Sequence, residues 1–309
     1  MDKRTFLKTM TAISAAGVPG VSFAKAGYDP DARMALRVSE VEYRRNAKGR
    51  PLLARIYQPQ GKGPFPVVLD LHGGAWQRKD RKAEEPTDRA IASSGVLVVA
   101  IDMTLSGEAP YPACIQDASY GVRWLKSRAA EWNGDASTLG LYGSSSGGHV
   151  AELLAMRPND KRYNAIPLEA APDLDISVAY VATRSPISNP FTRWQQAERK
   201  PNPNLVKASK TFFQPWESIH EGSPQEILDR REPVTLRPLL IMQGELDDNV
   251  LPSEQKKFAE SYRAAGGEVR FEVFAGSVHE WVAEPGPQTT RAQEMVKAFI
   301  ARNLGRRAG

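Results

Sequence analysis

Residues 139–155 read Leu-Gly-Leu-Tyr-Gly-Ser-Ser-Ser-Gly-Gly-His-Val-Ala-Glu-Leu-Leu-Ala. The stretch opens as a short apolar strand, Leu139 to Tyr142, and closes with Val150, Leu153 and Leu154 recurring at helical spacing. Between them Gly143, Ser145 and Gly147 spell G-x-S-x-G, the pattern of a sharp strand-to-helix turn that lifts a serine hydroxyl clear of its neighbours. A backbone that doubles back over positions 143–147 is crowded by side chains, and glycine tolerates such a turn without penalty. The stretch therefore predicts a strand, an elbow and a helix, with Ser145 at the carboxyl end of the strand.

The segments around it repeat this alternation. Val38 to Arg44 and Leu52 to Tyr57 alternate enough for an antiparallel pair turned at Asn46 to Gly49. Val67 to Leu71 and Val96 to Ile101 are near-continuous apolar runs, as strands buried on both faces require. A helix is expected over Ile115 to Ala130, a strand over Ile176 to Ala182, and a strand over Leu239 to Met242. Then come a helix over Ser253 to Ala265, a strand over Val269 to Phe274 and a helix over Thr290 to Asn303. This is the pattern of a mostly parallel, doubly wound α/β sheet, whose sites form in loops at the carboxyl ends of the strands. One interruption, Ser185 to Arg237, is rich in proline and keeps Phe191, Trp194, Phe212, Phe213 and Trp216. It reads as a lid inserted before the strand at Leu239, packing over the sheet's carboxyl edge.

The 309 residues are 41% hydrophobic and 25% charged, enough for one α/β domain over residues 27–309. Residues 1–26 are set apart by a basic start through Lys8, a mildly apolar middle from Met10 to Ala24, and a small-x-small site at Ala24-Lys25-Ala26. This is the layout of an export signal. The order Lys3-Arg4-x-Phe6-Leu7-Lys8 resembles the twin-arginine type, and either export route implies a bacterial periplasm or exterior. The apolar run is broken by Gly17, Pro19 and Gly20 and is too short for a stable membrane anchor. Four cations against Asp2 place three of the chain's five net positive charges in this segment. The remainder is close to neutral and shows no basic patch with interleaved aromatics, so nucleic-acid binding has no support. Cys114 is the single cysteine, which rules out an internal disulfide and a cysteine-based zinc site.

A serine hydroxyl needs a base within hydrogen-bond reach, and the base needs a carboxylate to orient it. The chain has four histidines. His72 lies in a glycine turn, His149 on the elbow helix and His220 in the insertion. His279 follows the last core strand in the loop Gly276 to Trp281, from which it can swing towards Ser145, so it is the expected base. The expected carboxylate is Asp247, where the strand Leu239 to Met242 runs out into a loop, with Asp248 as the neighbouring alternative. His72-Gly73-Gly74-Ala75-Trp76 follows directly on the strand Val67 to Leu71. Its glycines let backbone N–H groups approach a developing oxyanion. The amides of Gly74, Ala75 and Ser146 are the candidates for that hole, with Gly73 behind them. Trp76, Trp281, Trp194, Phe213 and Trp216 are candidate walls of a substrate pocket.

His72-Gly73-Gly74-Ala75-Trp76, Gly143 to Gly148, Gly244-x-x-Asp247 and His279 together resemble the α/β-hydrolase superfamily, in particular its hormone-sensitive-lipase-like esterases. The H-G-G-x-W form also resembles kynurenine formamidases and small bacterial feruloyl and acetyl esterases, whose serine, aspartate and histidine fall on Ser145, Asp247 and His279. The resemblance covers nearly the whole chain after the export segment. It implies an α/β-hydrolase fold and an exported serine esterase acting on small or medium carboxylic esters, including esters with an aromatic portion, without metal or organic cofactor. An amidase or formamidase with the same triad, or a non-catalytic binding protein on this scaffold, would share these motifs.

Overall fold

The computed structural model describes residues 28–305, so the export segment expected over residues 1–26 lies outside the described residues. In chain order the first half contains β1 (Leu36–Arg45), β2 (Pro51–Pro59), β3 (Val67–Leu71), α1 (Glu85–Ser93), β4 (Leu97–Ile101) and α2 (Ala113–Arg128). The elbow stretch supplies β5 (Gly140–Ser144) and α3 (Ser146–Met156), followed by β6 (Val181–Arg184). The insertion folds into α4 (Pro190–Arg199), α5 (Pro203–Phe212), α6 (Ser218–Glu221) and α7 (Pro224–Asp229). The chain then returns to the sheet with β7 (Leu239–Gly244), α8 (Pro252–Ala264), β8 (Val269–Phe274) and α9 (Pro287–Gly305).

The eight strands form one sheet in the order β1-β2-β4-β3-β5-β6-β7-β8. β1 and β2 are antiparallel to each other, and β2 to β4, while every pairing from β4 to β8 is parallel. Every residue of β3, β4, β5, β6 and β7 is buried, which is why these strands are mostly apolar on both faces, with polar residues such as Asp70, Arg184 and Gln243 buried among them. Alternation along a strand divides the core into two layers. β3 sends Val67, Leu69 and Leu71 to the side of α2, α3 and α8, where Val122, Leu153 and Phe258 meet them. Val68 faces the other side, with Ile91 of α1 and Phe299 of α9. Each such side chain contributes about 1.5–3 kcal/mol by leaving water, and Cys114 is a buried free thiol, so the fold rests on these layers and on no crosslink among the described residues.

The strand expected over Ile176 to Ala182 is corrected by the structure. Only Val181–Arg184 is strand, although Ile176 and Val178 are buried in the core. Apolarity there records burial of a loop, not pairing. In the insertion, three helices start on a capping residue followed by proline: Asn189-Pro190, Asn202-Pro203 and Ser223-Pro224. Each cap side chain accepts a backbone N–H of the first turn, and proline at the first position gives up only an amide that would lack a partner. Among the described residues no helix is long and apolar enough to cross a membrane.

Candidate active site

β5 ends at Ser144 and α3 begins at Ser146, so Ser145 alone makes the turn, at φ 50° and ψ −115°. A non-glycine residue there costs about 1–3 kcal/mol and persists only when its surroundings hold it. Its amide donates to the Arg184 carbonyl at 2.8 Å, and its carbonyl accepts from the amides of His149 (3.1 Å) and Ile187 (3.2 Å). The flanking glycines are explained by close approach. A Cβ on Gly147 would overlap the Leu71 carbonyl, and one on Gly143 would lie 2.6 Å from the Gly147 carbonyl.

The loop after β8 brings His279 to this turn, with Nε2 2.9 Å from Ser145 Oγ. Its Nδ1 lies 2.8 Å from Asp247 Oδ2, so the carboxylate fixes the proton on Nδ1 and leaves Nε2 free to accept. Asp247 is itself held in place: Oδ2 also accepts from Gln243 Nε2 at 3.0 Å, and Oδ1 accepts the amides of Asn249 (3.0 Å) and Val250 (2.8 Å). Burial pushes the Asp247 carboxyl up, but the bond and charge of His279 and the Val250 amide outweigh it and hold the group below the usual carboxylate range. All three side chains are buried, whereas Asp248 is exposed, so the structure brings Ser145, His279 and Asp247 together and leaves Asp248 out.

Gly73 lies against the elbow, where a Cβ would be 3.0 Å from Ser144 Oγ and 3.4 Å from Ser145 Cβ. Gly74, Ala75 and Trp76 all have positive φ, 105°, 54° and 62°. The Gly74 carbonyl closes the turn by accepting from Gln77 and Arg78, and Trp76 N–H donates to Ser146 Oγ at 3.2 Å. Trp76 N–H is thus occupied, while the amides of Gly73, Gly74 and Ala75 meet no acceptor among the described residues. The Ser146 N–H opens α3, where the first amides have no partner within the helix and the helix dipole favours an anion.

His149 stands apart from the triad. Its Nδ1 accepts Trp76 Nε1–H at 3.2 Å, so Nε2–H donates to the Gly222 carbonyl, at 2.6 Å. Burial first, with Arg193 nearby, lowers its pKa to about 4, which keeps it neutral as a tie between the Trp76 loop and the insertion. His72 donates Nδ1–H to the Gly73 carbonyl, and His220 pairs with Glu226 in the insertion. Trp76 stacks on Phe212 at 4.5 Å and meets Phe213 edge-on at 5.5 Å, while Trp194 packs on Trp216 at 4.9 Å. Trp281 departs from expectation: a 3-10 turn over Trp281–Ala283 stacks its ring on Phe274 at 4.3 Å in the α9 layer. It is core, not a pocket wall.

Sequence reasoning missed an ion pair beneath the site. Arg184, at the end of β6, donates Nη1–H to the His279 carbonyl at 2.6 Å and Nη2–H to Glu84 Oε1 at 3.2 Å. Glu84, which immediately precedes α1, also accepts Ser144 Oγ–H at 2.6 Å. One buried pair therefore ties the histidine loop to the nucleophile strand. No sequence signal marks it, since the strand expected from the sequence ends at Ala182, before Arg184. Arg184→Met strands a buried carboxylate, which costs about 3–5 kcal/mol in such pairs. The expected result is a fall in Tm on the order of 10 °C in thermal unfolding followed by circular dichroism, and an unchanged Tm would refute the role.

Asp70 and Asp88 are buried beside this pair without hydrogen-bond partners for their carboxyl oxygens. Burial, then the charge of Glu84 on Asp70 and of Asp70 on Asp88, raises both above the usual range. A raised carboxyl binds its proton more tightly in the folded state, so its contribution is greatest below the unfolded pKa of about 4 and is lost as pH rises towards the folded value. Asp70→Asn is expected to reduce the loss of Tm between pH 5 and pH 8. An equal or steeper loss would show that this carboxyl ionises freely.

The BD-FAE family model matches residues 55–262, from β2 through α8. The carboxylesterase NlhH of Mycobacterium tuberculosis is 36% identical over 108 residues, covering 34% of this chain and 34% of NlhH. The esterase LipQ of the same organism is 24% identical over 297 residues, covering 91% of this chain and 66% of LipQ. The chain thus spans between a third and two thirds of these curated relatives. An inhibited esterase B of Lactobacillus rhamnosis superposes with a TM-score of 0.73 at 18% identity, covering 90% of this chain and 91% of that one. That likeness shows a shared fold.

Proposed function

The chain belongs to the BD-FAE family and has the α/β-hydrolase fold, and from that premise we propose that it is a serine carboxylesterase hydrolysing small or medium carboxylic esters. The observation that carries the reading is the continuous chain from Ser145 Oγ through His279 to Asp247. His279 Nε2 takes the hydroxyl proton as Ser145 Oγ attacks the ester carbonyl. The resulting oxyanion faces the amides of Gly74, Ala75 and Ser146, with Gly73 alongside, and His279 then gives its proton to the departing alcohol. Water attacks the acyl-enzyme by the same path and returns the proton to Ser145. The names of NlhH and LipQ support ester over other acyl substrates.

Trp76 and Phe213, expected as pocket walls, are packed in the core around His149. The reading of a compact or aromatic acyl group therefore rests on Trp194 and Trp216 of the insertion, which acts as a lid and where well-placed ring pairs add about 0.5–1.5 kcal/mol beyond burial. A panel of p-nitrophenyl esters of rising chain length, an aromatic ester and a matched amide tests this. Short-chain and aromatic esters are expected to lead. Activity rising steadily to the longest acyl chain would overturn the pocket shape, and faster amide cleavage would overturn the ester assignment. The basic start and the Ala24-Lys25-Ala26 site support export to the periplasm or exterior. Amino-terminal sequencing of secreted protein is expected to find a chain starting at or near Gly27, and an intact Met1 in the cytoplasm would contradict it.

A further inference from the structure

Ala75 carries one of the candidate oxyanion amides, yet its own amide and carbonyl make no hydrogen bond among the described residues. It stands at φ 54°, between Gly74 at 105° and Trp76 at 62°. Left-handed backbone at two successive non-glycine residues persists only where the surroundings impose it. On one side of Ala75 the constraint is local, since the Gly74 carbonyl accepts from Gln77 and Arg78. On the other side the loop is held through Trp76.

The bonds that hold Trp76 come from residues distant in sequence. Its carbonyl accepts the Ser106 amide at 2.8 Å, from the segment after β4. Its amide donates to Ser146 Oγ and its indole Nε1–H to His149 Nδ1, both at 3.2 Å. Ser146 and His149 are three apart on α3, so they stand on one face of that helix and hold Trp76 by backbone and side chain together. The Trp76 N–H belongs to the Ala75–Trp76 peptide, so the bond to Ser146 Oγ fixes the plane of that peptide and with it the orientation of Ala75. Ser146 therefore acts on both halves of the hole: its N–H opens α3, and its hydroxyl holds the loop that carries the amides of Gly74 and Ala75. Trp76, Ser146 and His149 are all buried. A buried N–H that loses its acceptor has no water to replace it, so the loop shifts rather than leave it unpaired.

We propose that Ser146, through its hydroxyl, and His149, through its imidazole, are positioning residues of the oxyanion hole that act on the Gly74 and Ala75 amides by holding Trp76. This rests on the esterase reading and deepens it. The test uses Ser146→Ala, which removes the acceptor of the Trp76 amide, and Trp76→Phe, which removes the indole N–H and keeps a ring to stack on Phe212. Hydrolysis of p-nitrophenyl butyrate is measured beside a thermal melt and the inhibition constant of trifluoroacetophenone. This ketone adds to a reactive serine and places a tetrahedral oxyanion in the hole. Loss of a whole oxyanion donor costs about 10²–10³ in kcat, so displaced donors are expected to cost about tenfold or more, with KM within about twofold of wild type. The ketone is expected to bind more weakly by the same factor as kcat/KM falls, a match that a role in folding alone does not produce. Should Ser146→Ala fail to fold, Trp76→Phe carries the test. Unchanged kcat in either folded variant overturns the proposal, as does a fall in kcat with ketone affinity unchanged, and the esterase reading stands in both cases. Wild-type protein that neither hydrolyses the ester nor binds the ketone overturns both.

Discussion

Ser145→Ala is expected to lower ester hydrolysis by a factor on the order of 10⁴ to 10⁶ while the protein still folds, as removal of the nucleophile does in triads of this kind. Folding is spared because the Ser145 hydroxyl bonds to His279, while the turn is held by backbone bonds to Arg184, His149 and Ile187. The neighbouring serines are occupied. Ser144 Oγ–H donates to Glu84 and Ser146 Oγ accepts the Trp76 amide, so neither is presented to the imidazole. Steady-state kinetics beside a thermal melt checks the prediction. Wild-type-like turnover in Ser145→Ala would move the nucleophile to one of those two serines.

Asp247→Asn is expected to lower kcat by about 10⁴. The carboxylate accepts Nδ1–H of His279, and an amide NH₂ in the same place would instead require Nδ1 to accept. The proton would then sit on Nε2, facing Ser145 Oγ, where it blocks proton transfer. Asn249 and Val250 donate to Oδ1, an acceptor that asparagine keeps, so the loop should hold. Asp248→Asn, on an exposed side chain, is expected to change kcat little. If Asp248→Asn proves the more damaging, the carboxylate has been misplaced by one residue.

The triad was legible because each member is tied to a local constraint visible in the chain. Glycines at fixed spacing mark the turn at Ser145, and His279 and Asp247 each follow a strand whose apolar run ends in a polar loop. Order along the chain did the rest. Glu84 and Arg184 were not legible, because they are 100 positions apart and acquire meaning only when α1 and β6 meet beneath the sheet edge. Trp281 shows the opposite error. Two positions from His279, it reads as a neighbour of the site, but the 3-10 turn sends its ring to the far layer. Adjacency in sequence does not specify a face. Arg193 escaped notice for a related reason: in sequence it is one more charge on an amphipathic helix, and only the folded insertion buries it over Trp76.

The decisive measurement is covalent labelling with a fluorophosphonate followed by fragment-level mass spectrometry of the peptide containing residues 143–148. A nucleophile activated by His279 and Asp247 is expected to carry one adduct, on Ser145, that disappears in Ser145→Ala and is strongly reduced in His279→Ala. An adduct on Ser144 or Ser146, labelling that persists in Ser145→Ala, or no labelling of the folded protein would contradict a catalytic Ser145.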